Sequence, residues 1–456
     1  MALREYIPMK KHLLTDFDSV SAKAWKQKIQ ADLKGLEYNE TLVSKTLEGI
    51  HIKPFYHTDD AIAALNIPGT PSEWNITQSV FIDDTKIANN IALDAIERGA
   101  EAILFTAEKP FDIPRVFKDF PYEKATIYFD FTFLDTVFLT QLSTCLNQEK
   151  ATFYLNIDPI GKLTKEGNWF KNKQEDFNAL QNLKEATNTI SVDTTNYQNA
   201  GATMVQQLAY ALAHANEYLN HQTLDSITFK IAAGTHYFFE IAKIRALRIL
   251  FASLAKEYKG TNNSCHIIMQ PSRRNKTLYD YNINMLRSTT ESMSGVLGGA
   301  NAVCNMPYDA LYHKSNEFGE RISRNQLLIL KAESYFDIVT NPADGAYYIE
   351  SVTQELAEKA LILFKHIEEG GGFIKQLQEG SIQKKIKESA AKEQELFDNG
   401  SITLLGTNKH PNPMDLMKEN LELFPFLKSN PRKTLIQPII AKRLAEAIEQ
   451  ERLSHE

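Results

Sequence analysis

Cysteine is scarce in this sequence, which has three such residues, Cys145, Cys265 and Cys304, in 456. They are too few and too widely spaced for a disulfide framework or a Cys-x-x-Cys metal site, so we expect a protein of the reducing cytoplasm. Long apolar runs are also missing, and no stretch approaches the roughly 18 apolar residues that would span a bilayer. Residues 1–20 contain acidic side chains and no apolar core, so we expect no secretory signal there.

An excess of basic charge is absent as well. The sequence has 50 Lys and Arg against 57 Asp and Glu, which gives a net charge of −7, and the two signs are interspersed. This balance argues against nucleic acid as a partner. With 43% hydrophobic and 23% charged residues, the composition is that of an ordinary globular protein.

Familiar catalytic motifs are missing too. The sequence has no HExxH, no GxSxG and no GxxxxGK[ST], which argues against a zinc hydrolase, a serine hydrolase and a phosphate-binding loop. His214 and His221 are seven residues apart on a predicted helix, but two ligands do not make a metal site, and we interpret them as satisfied or solvated histidines. Asp59–Asp60 and Asp83–Asp84 lie in predicted turns and are interpreted as solvated.

A regular alternation of strand-like and helix-like segments is present instead. Helical patterns cover 86–100, 135–148, 202–220, 237–258 and 283–299. Such alternation predicts parallel strands joined by right-handed crossovers, and eight units of this kind close into an α/β fold of the (β/α)8 TIM-barrel type. An open doubly wound sheet is the alternative, but it would normally carry a glycine-rich turn after its first strand, and none is found there. The predicted strands are 75–81, 102–105, 125–131, 151–158, 189–194, 227–233, 265–270 and 301–306.

Three regions are predicted along the chain. Residues 1–45 form an N-terminal helical arm for docking a partner, 46–370 form the barrel, and 371–456 form a charged, helical C-terminal extension. In the arm, Ser21 is a plausible N-cap and Gly35 a plausible helix end. The apolar stripe between them either docks on the barrel or wraps a partner chain, and both alternatives stay open. The stripe consists of Trp25, Ile29, Leu33 and Leu36.

Polar residues follow several of the predicted strands, at the end where barrel enzymes keep their catalytic groups. Asp130, Asp158 and Asp193 either form an acidic pocket or cap the helices that follow these strands. Hydroxyls and amides otherwise dominate. The full set is Ser79, Asp130, Asp158, residues 193–196, Thr235, His236, Gln270 and Ser272.

The stretch RSTTESMSGVLGGANAV, residues 287–303, looks at first like a phosphate cradle. A cradle needs its glycines before a helix, where free N–H groups face the anion, but Gly298 and Gly299 follow the helix. We therefore expect a left-handed C-terminal cap and a turn into the last strand. Arg287 and Glu291, four residues apart, are expected to pair on the helix surface. The predicted apolar stripe is Ile283, Leu286, Met293, Val296 and Leu297.

Three segments in order give a specific family resemblance: DYNINMLRSTTESMSGVLGGANAV, NEFGERISRNQLLILKAES and NPADGAYYIESVTQELA. Together they resemble methylmalonyl-CoA mutases, and the small, non-catalytic chain more closely than the large one. The resemblance implies a (β/α)8 barrel. Catalytic members hold an acyl-CoA along the barrel axis under an adenosylcobalamin-binding domain, and interconvert methylmalonyl-CoA and succinyl-CoA by radical chemistry.

The sequence departs from the catalytic pattern at three positions. Ser79 stands where the family has a tyrosine, Asn196 where it has a histidine, and Asn301 where it has a glutamine. The resemblance implies that Asn301, like the other two, lies near the chemistry. None of the 11 histidines follows an aspartate by two positions, so the motif for the lower cobalamin ligand is missing, and we expect no flavodoxin-like cobalamin domain.

The resemblance with these departures implies a non-catalytic small subunit. We expect a heterodimer whose large subunit carries adenosylcobalamin and the chemistry, and a small chain that stabilises it and holds no cofactor or metal of its own. Two alternatives remain. One is an acyl-CoA mutase barrel that works with a separate cobalamin-binding subunit, and the other is a barrel repurposed to bind an acyl-CoA.

Overall fold

The computed structural model describes residues 17–60, 64–183, 190–221, 224, 226–259, 262–428 and 431–456. Its centre is a sheet of eight parallel strands, preceded by a short antiparallel hairpin. The hairpin is β1 (Ser44–Lys45) and β2 (His51–Ile52). The parallel strands are β3 (Asn75–Phe81), β4 (Ala102–Ala107), β5 (Thr126–Phe131), β6 (Phe153–Tyr154), β7 (Ser191–Asp193), β8 (Thr228–Ala233), β9 (His266–Pro271) and β10 (Ala302–Cys304).

The parallel strands close into a ring. Their order is β6-β5-β4-β3-β10-β9-β8-β7, and a parallel bridge between Ile157 and Ile190 joins the two ends. At that bridge the backbone N–H of Ser191 donates to the Ile157 carbonyl at 3.1 Å. The predicted (β/α)8 barrel is therefore confirmed, and all eight predicted strands are present, although β6, β7 and β10 are shorter than predicted. Residue 189 of the predicted strand 189–194 lies outside the described residues.

Helices follow the strands and surround the ring. The five predicted helical patterns correspond to α3, α5, α9, α10 and α11. The helices are α1 (Ala22–Asp32), α2 (Tyr38–Leu42), α3 (Thr85–Glu97), α4 (Ile113–Val116), α5 (Thr136–Gln148), α6 (Pro159–Glu166), α7 (Lys173–Leu183), α8 (Thr195–Asn199), α9 (Met204–His221), α10 (Tyr237–Ala255), α11 (Ile283–Leu297), α12 (Glu317–Leu328), α13 (Tyr347–Glu369), α14 (Phe373–Gln378), α15 (Ser381–Asp398) and α16 (Glu446–Ser454). Among these helices, none combines the length and the apolar character needed to cross a membrane.

Aspartates begin several of the helices that follow strands. The side chain of Asp84 accepts hydrogen bonds from the N–H groups of Lys86 and Ile87 and so caps α3, and Asp135 caps α5 in the same way. Such caps satisfy N–H groups that the first helical turn leaves without partners. The sharp strand-to-helix turns at the carboxyl end of the barrel follow from this chemistry.

The arm helix α1 has its predicted cap but not a buried face. The Ser21 hydroxyl accepts from the N–H of Ala24 at 3.2 Å, and Gly35 has the positive φ of a helix end. No residue of α1 is buried. Trp25 is 48% exposed and Leu36 is 64% exposed, whereas Ile29 and Leu33 are half-buried, so the stripe is only partly covered by the described residues. Residues 1–16 of the arm lie outside the described residues.

The C-terminal region crosses the carboxyl end of the barrel. Between α15 and α16 the chain has little regular structure, and residues 431–445 follow the rim by backbone hydrogen bonds. Ile439 N–H donates to the Thr164 carbonyl at 2.8 Å, and Leu444 N–H donates to the Arg274 carbonyl at 2.9 Å. This segment therefore forms part of the wall above the strands.

Helix α11 corrects one prediction and confirms another. Glu291 is buried and accepts from Lys276 Nζ at 2.7 Å, while Arg287 donates to the Leu405 carbonyl at 2.7 Å, so the predicted surface pair is wrong. The helix packs a polar face inward, because small residues such as Gly295 let it approach Met269 of β9 closely. Leu286, which belongs to the predicted apolar stripe, is exposed instead. Gly299 has a φ of +91° just past the helix end, as predicted for the left-handed cap.

Candidate functional site at the carboxyl face of the barrel

A cavity of about 710 Å³ opens at the carboxyl ends of the barrel strands. Its volume lies within the range of small-molecule pockets. Ser79 of β3, Asp130 of β5 and Lys230 of β8 line it, and so do Asn196 and Gln270. Most of the predicted strand-end residues therefore share one site, because parallel strands present their carboxyl ends on one face of the barrel. Thr235, His236 and Ser272 of the predicted set do not line this cavity.

Lys230 is the electrostatic centre of the cavity floor. Its Nζ lies 2.5 Å from a carboxylate oxygen of Asp130 and 3.1 Å from one of Asp193. Burial acts to lower the pKa of Lys230, but the two carboxylates outweigh it and hold that pKa above its usual value. Burial likewise acts to raise the pKa of Asp193, yet Lys230 and the hydrogen bonds from Thr195 leave it lowered. Lys230 and Asp193 are therefore charged at neutral pH.

Asp158 has a structural role. Its carboxylate accepts from the N–H of Gly161 at 2.7 Å, which caps α6, and from the Tyr218 hydroxyl at 2.6 Å. His214 Nε2 lies 2.9 Å from the same carboxylate. The capping interpretation is therefore confirmed for Asp158, whereas Asp130 pairs with Lys230 and caps no helix. Buried His214 is a satisfied core histidine, as predicted.

Two of the three departures from the catalytic pattern lie in this cavity. Ser79 is exposed to it at the end of β3, and Asn196 lines it from α8. Asn196 Nδ2 donates to the Ile439 carbonyl at 2.9 Å, which fixes the amide against the C-terminal segment. At these positions the cavity therefore presents a hydroxyl and an amide rather than a phenol and an imidazole.

Asn301 does not belong to this site. It immediately precedes β10, at the amino end of the barrel, and its carbonyl accepts from the N–H of Asn75 at 2.9 Å. Its side-chain oxygen accepts from Arg248 Nη2 at 2.7 Å and from the N–H of Ile267 at 2.9 Å. The expectation that Asn301 lies near the other two positions is corrected, since the strand separates the two ends.

Three rings fill the barrel axis below the cavity. Tyr128 of β5 is fully buried, and its hydroxyl lies 2.9 Å from His266 Nε2 of β9. Tyr154 of β6 stacks on His266 with ring centroids 4.3 Å apart. Burial lowers the pKa of His266 to about 3, so the imidazole is neutral. We call Tyr128, Tyr154 and His266 the axial plug, and buried Leu104 and Ile268 pack in the same cluster.

The comparison with protein families now decides the identity of this barrel. The sequence model of the methylmalonyl-CoA mutase family matches residues 155–450. The chain belongs to the methylmalonyl-CoA mutase family. The matched range includes every strand from β7 to β10 and the segment that crosses the carboxyl face.

Curated members of the mutase family agree over most of the chain. The small subunit from Porphyromonas gingivalis is 31% identical, and the match covers 91% of this chain and 73% of that protein. The small subunit from Propionibacterium freudenreichii subsp. shermanii is 25% identical, with 93% and 73% covered. A methylmalonyl-CoA mutase from Cereibacter sphaeroides is 26% identical, with 85% and 64% covered. This chain thus spans less than the whole length of each mutase relative.

Among the described residues, the cavity lining of this mutase-family chain shows no Asp-x-His pair like that of the family's lower cobalamin ligand. His313 is the one histidine lining the cavity, and its Nδ1 lies 3.2 Å from Asp309. Asp309 is four residues earlier, not two as in the family's ligand motif. The cavity has the size of a pocket for a drug-sized ligand, and a corrin is far larger. Within the described residues, no group of three or more His, Cys, Asp and Glu side chains can hold a metal ion.

Sequence reasoning missed three features of this mutase-family site. Lys230 is the one charged residue in the strand TFKIAA. A lysine within an otherwise apolar strand could have indicated this site from the sequence. Glu320 also lines the cavity, and burial raises its pKa to about 7. The axial plug left no local signal, since its rings come from three separate strands.

Proposed function

We propose that this chain is the non-catalytic small subunit of a heterodimeric, adenosylcobalamin-dependent methylmalonyl-CoA mutase. The large subunit holds the cofactor and interconverts methylmalonyl-CoA and succinyl-CoA, and this chain stabilises it. The proposal also places the protein in the cytoplasm, which agrees with three free cysteines at Cys145, Cys265 and Cys304.

The axial plug is the observation that carries the proposal. The family resemblance implies that catalytic members thread the acyl-CoA along the barrel axis. In this chain the rings of Tyr154 and His266 stack 4.3 Å apart across that path, and Tyr128 is hydrogen-bonded to the same imidazole. Close packing of this kind leaves no room for an extended acyl chain without repacking the core.

The cavity chemistry supports the same conclusion. Ser79 and Asn196 line the cavity, and neither side chain acts as a proton donor with a pKa near neutrality. Asp130 and Asp193 contribute two carboxylates against the single ammonium of Lys230. Because Lys230 is already paired with both of these carboxylates, it is not free to pair with the carboxylate of methylmalonyl-CoA.

The exposed stripe on the arm supports a role in assembly. Trp25 and Leu36 present apolar side chains to solvent, and no residue of α1 is buried. Exposed aromatic and aliphatic groups that share one face are typical of a surface that a partner covers. We therefore place the large subunit against this stripe.

An assay of the separated chains tests the proposal. This chain, the cognate large chain and their mixture are each incubated with methylmalonyl-CoA and adenosylcobalamin, and succinyl-CoA formation is measured. We expect no turnover from this chain and the highest stable activity from the mixture, because subunit binding stabilises the folded large chain. Turnover by this chain alone would overturn the proposal and favour a barrel that works with a separate cobalamin-binding protein.

A further inference from the structure

Asn156 lies at the cavity with two side-chain polar atoms that lack hydrogen-bond partners among the described residues. It follows β6, lines the cavity and is 6% exposed. Neither its Nδ2 nor its Oδ1 has a hydrogen-bond partner among the described residues. Its φ of 50° lies in the left-handed region, where asparagine is one of the few residues tolerated. A buried amide without partners is unfavourable unless a bound molecule supplies them.

Ser191 adds a second group of this kind. It is the first residue of β7, is fully buried and lines the same cavity. Its Oγ has no hydrogen-bond partner among the described residues. The bridge that closes the barrel joins Ile157, the residue after Asn156, to Ile190, the residue before Ser191, so the hydroxyl and the Asn156 amide belong to one side of the floor. The floor therefore offers a donor and an acceptor from the amide, and both roles from the hydroxyl.

The charge of the floor limits the ligand further. Asp130, Asp158 and Asp193 line the cavity with Lys230, and the ammonium is held by two of these carboxylates. The whole lining has five basic side chains against six carboxylates, so it attracts neither an anion nor a cation strongly. An ammonium ligand has donors only and would leave the Asn156 Nδ2 unsatisfied. A ligand that satisfies both atoms of the amide must itself both donate and accept.

We propose that this cavity binds a compact, uncharged molecule rich in hydroxyl or amide groups. Hydroxyls meet the requirement because each one donates and accepts. Ser79 and Gln270 supply further polar groups along the wall. Phe81 also lines the cavity and is 53% exposed, which gives the carbon skeleton of such a ligand an apolar surface. The site is independent of the proposed role in the heterodimer, since it needs only the residues of this chain.

Ligand-observed NMR and calorimetry on the full chain test the site with named probes. The neutral probes are D-ribose, myo-inositol and N-acetyl-D-glucosamine. The charged probes are succinate, inorganic phosphate and ethylammonium, used at the same millimolar concentrations. We expect saturable binding of at least one neutral probe and none of the charged ones. Binding of succinate or phosphate tighter than any neutral probe, or no saturable binding of any neutral probe, would overturn the proposal.

Variants locate the binding. Asn156→Asp keeps the side-chain shape and the tolerance for positive φ, but it removes the donor and adds a charge. It should therefore lower the affinity for the neutral probe by about tenfold or more. Ser191→Ala should also lower this affinity. It should not lower thermal stability, because the hydroxyl that it removes has no partner among the described residues. Asn178→Asp, at an exposed position of α7, is the matched control and should bind like the wild type. Unchanged binding in both Asn156→Asp and Ser191→Ala would also overturn the assignment.

Discussion

Tyr154 and His266 stack inside the barrel with their ring planes inclined by 22° and their centroids 4.3 Å apart. They come from β6 and β9, which are three strands apart around the ring. Because these two side chains come from separate strands and meet inside the ring, they close the barrel axis. The stacking thus separates the open carboxyl-face cavity from the amino end of the barrel.

The hydroxyl of Tyr128 should contribute to stability through His266. Tyr128→Phe removes the group 2.9 Å from the imidazole and leaves a buried nitrogen without that partner. We expect a loss of about 1–3 kcal/mol in the free energy of unfolding, measured by urea denaturation. Tyr335→Phe, at a side chain that is 68% exposed, is the control and should change it by less than about 0.5 kcal/mol. Equal effects of the two variants would contradict a structural role for the plug.

The buried imidazole should also make the fold sensitive to acid. The pKa of His266 is lowered from 6.5 to about 3, so between these pH values the unfolded chain binds a proton that the folded chain does not. Stability therefore falls as pH decreases through this window, by at most about 1.4 kcal/mol per pH unit from this group. The His266→Gln variant should show a shallower fall between these pH values when unfolding is measured at several pH values. A slope equal to that of the wild type would exclude His266 as its source.

Removing the central cation of the floor, Lys230, should lower the free energy of unfolding. Lys230→Met leaves the half-buried carboxylates of Asp130 and Asp193 beside each other without their ammonium. We expect a loss of about 1.5–3 kcal/mol in the free energy of unfolding at neutral pH, partly restored by adding Asp130→Asn, since losing the cation leaves charge without a partner. Lys28→Met breaks the exposed pair with Asp32 and serves as the control, with an expected change below about 1 kcal/mol. A loss from Lys230→Met no larger than that of the control would contradict the floor's charge arrangement.

Apolar periodicity was sufficient to predict the barrel and its eight strands, because alternation and burial are local properties of the sequence. The interaction partners of individual side chains were harder to predict from the sequence. Glu291 was expected on the surface because its neighbour at four residues is Arg287, but its partner Lys276 comes from the loop before the helix. Spacing along one helix does not record what packs against its other face.

The candidate site was predictable in part for the same reason. Strand ends gave Ser79, Asp130 and Asn196, since the fold itself brings these ends together. Asn301 was misplaced because a matching position in a family pattern does not state which end of the strand it occupies. The axial plug depends on three strands at once, so only the three-dimensional structure brings its rings together.

The arm should affect assembly more than folding. Trp25→Ser changes a side chain that is 48% exposed and contacts the Phe55 ring at a centroid distance of 6.4 Å. We expect the free energy of unfolding to change by less than about 0.5 kcal/mol, whereas co-purification with a tagged large chain should fall. Phe238→Ser, at an exposed position of α10, is the matched control and should leave co-purification unchanged. Full recovery of the Trp25→Ser complex would show that the arm stripe is not the docking surface.

Calorimetric titration of methylmalonyl-CoA into this chain alone tests the central claim most directly, namely that the barrel no longer accepts the substrate of its family. The axial plug and the carboxylates beside Lys230 predict no saturable binding at micromolar or low millimolar concentrations. Saturable binding at micromolar concentration, abolished by coenzyme A as a competitor, would contradict the account and would mean that the axis opens for an acyl-CoA.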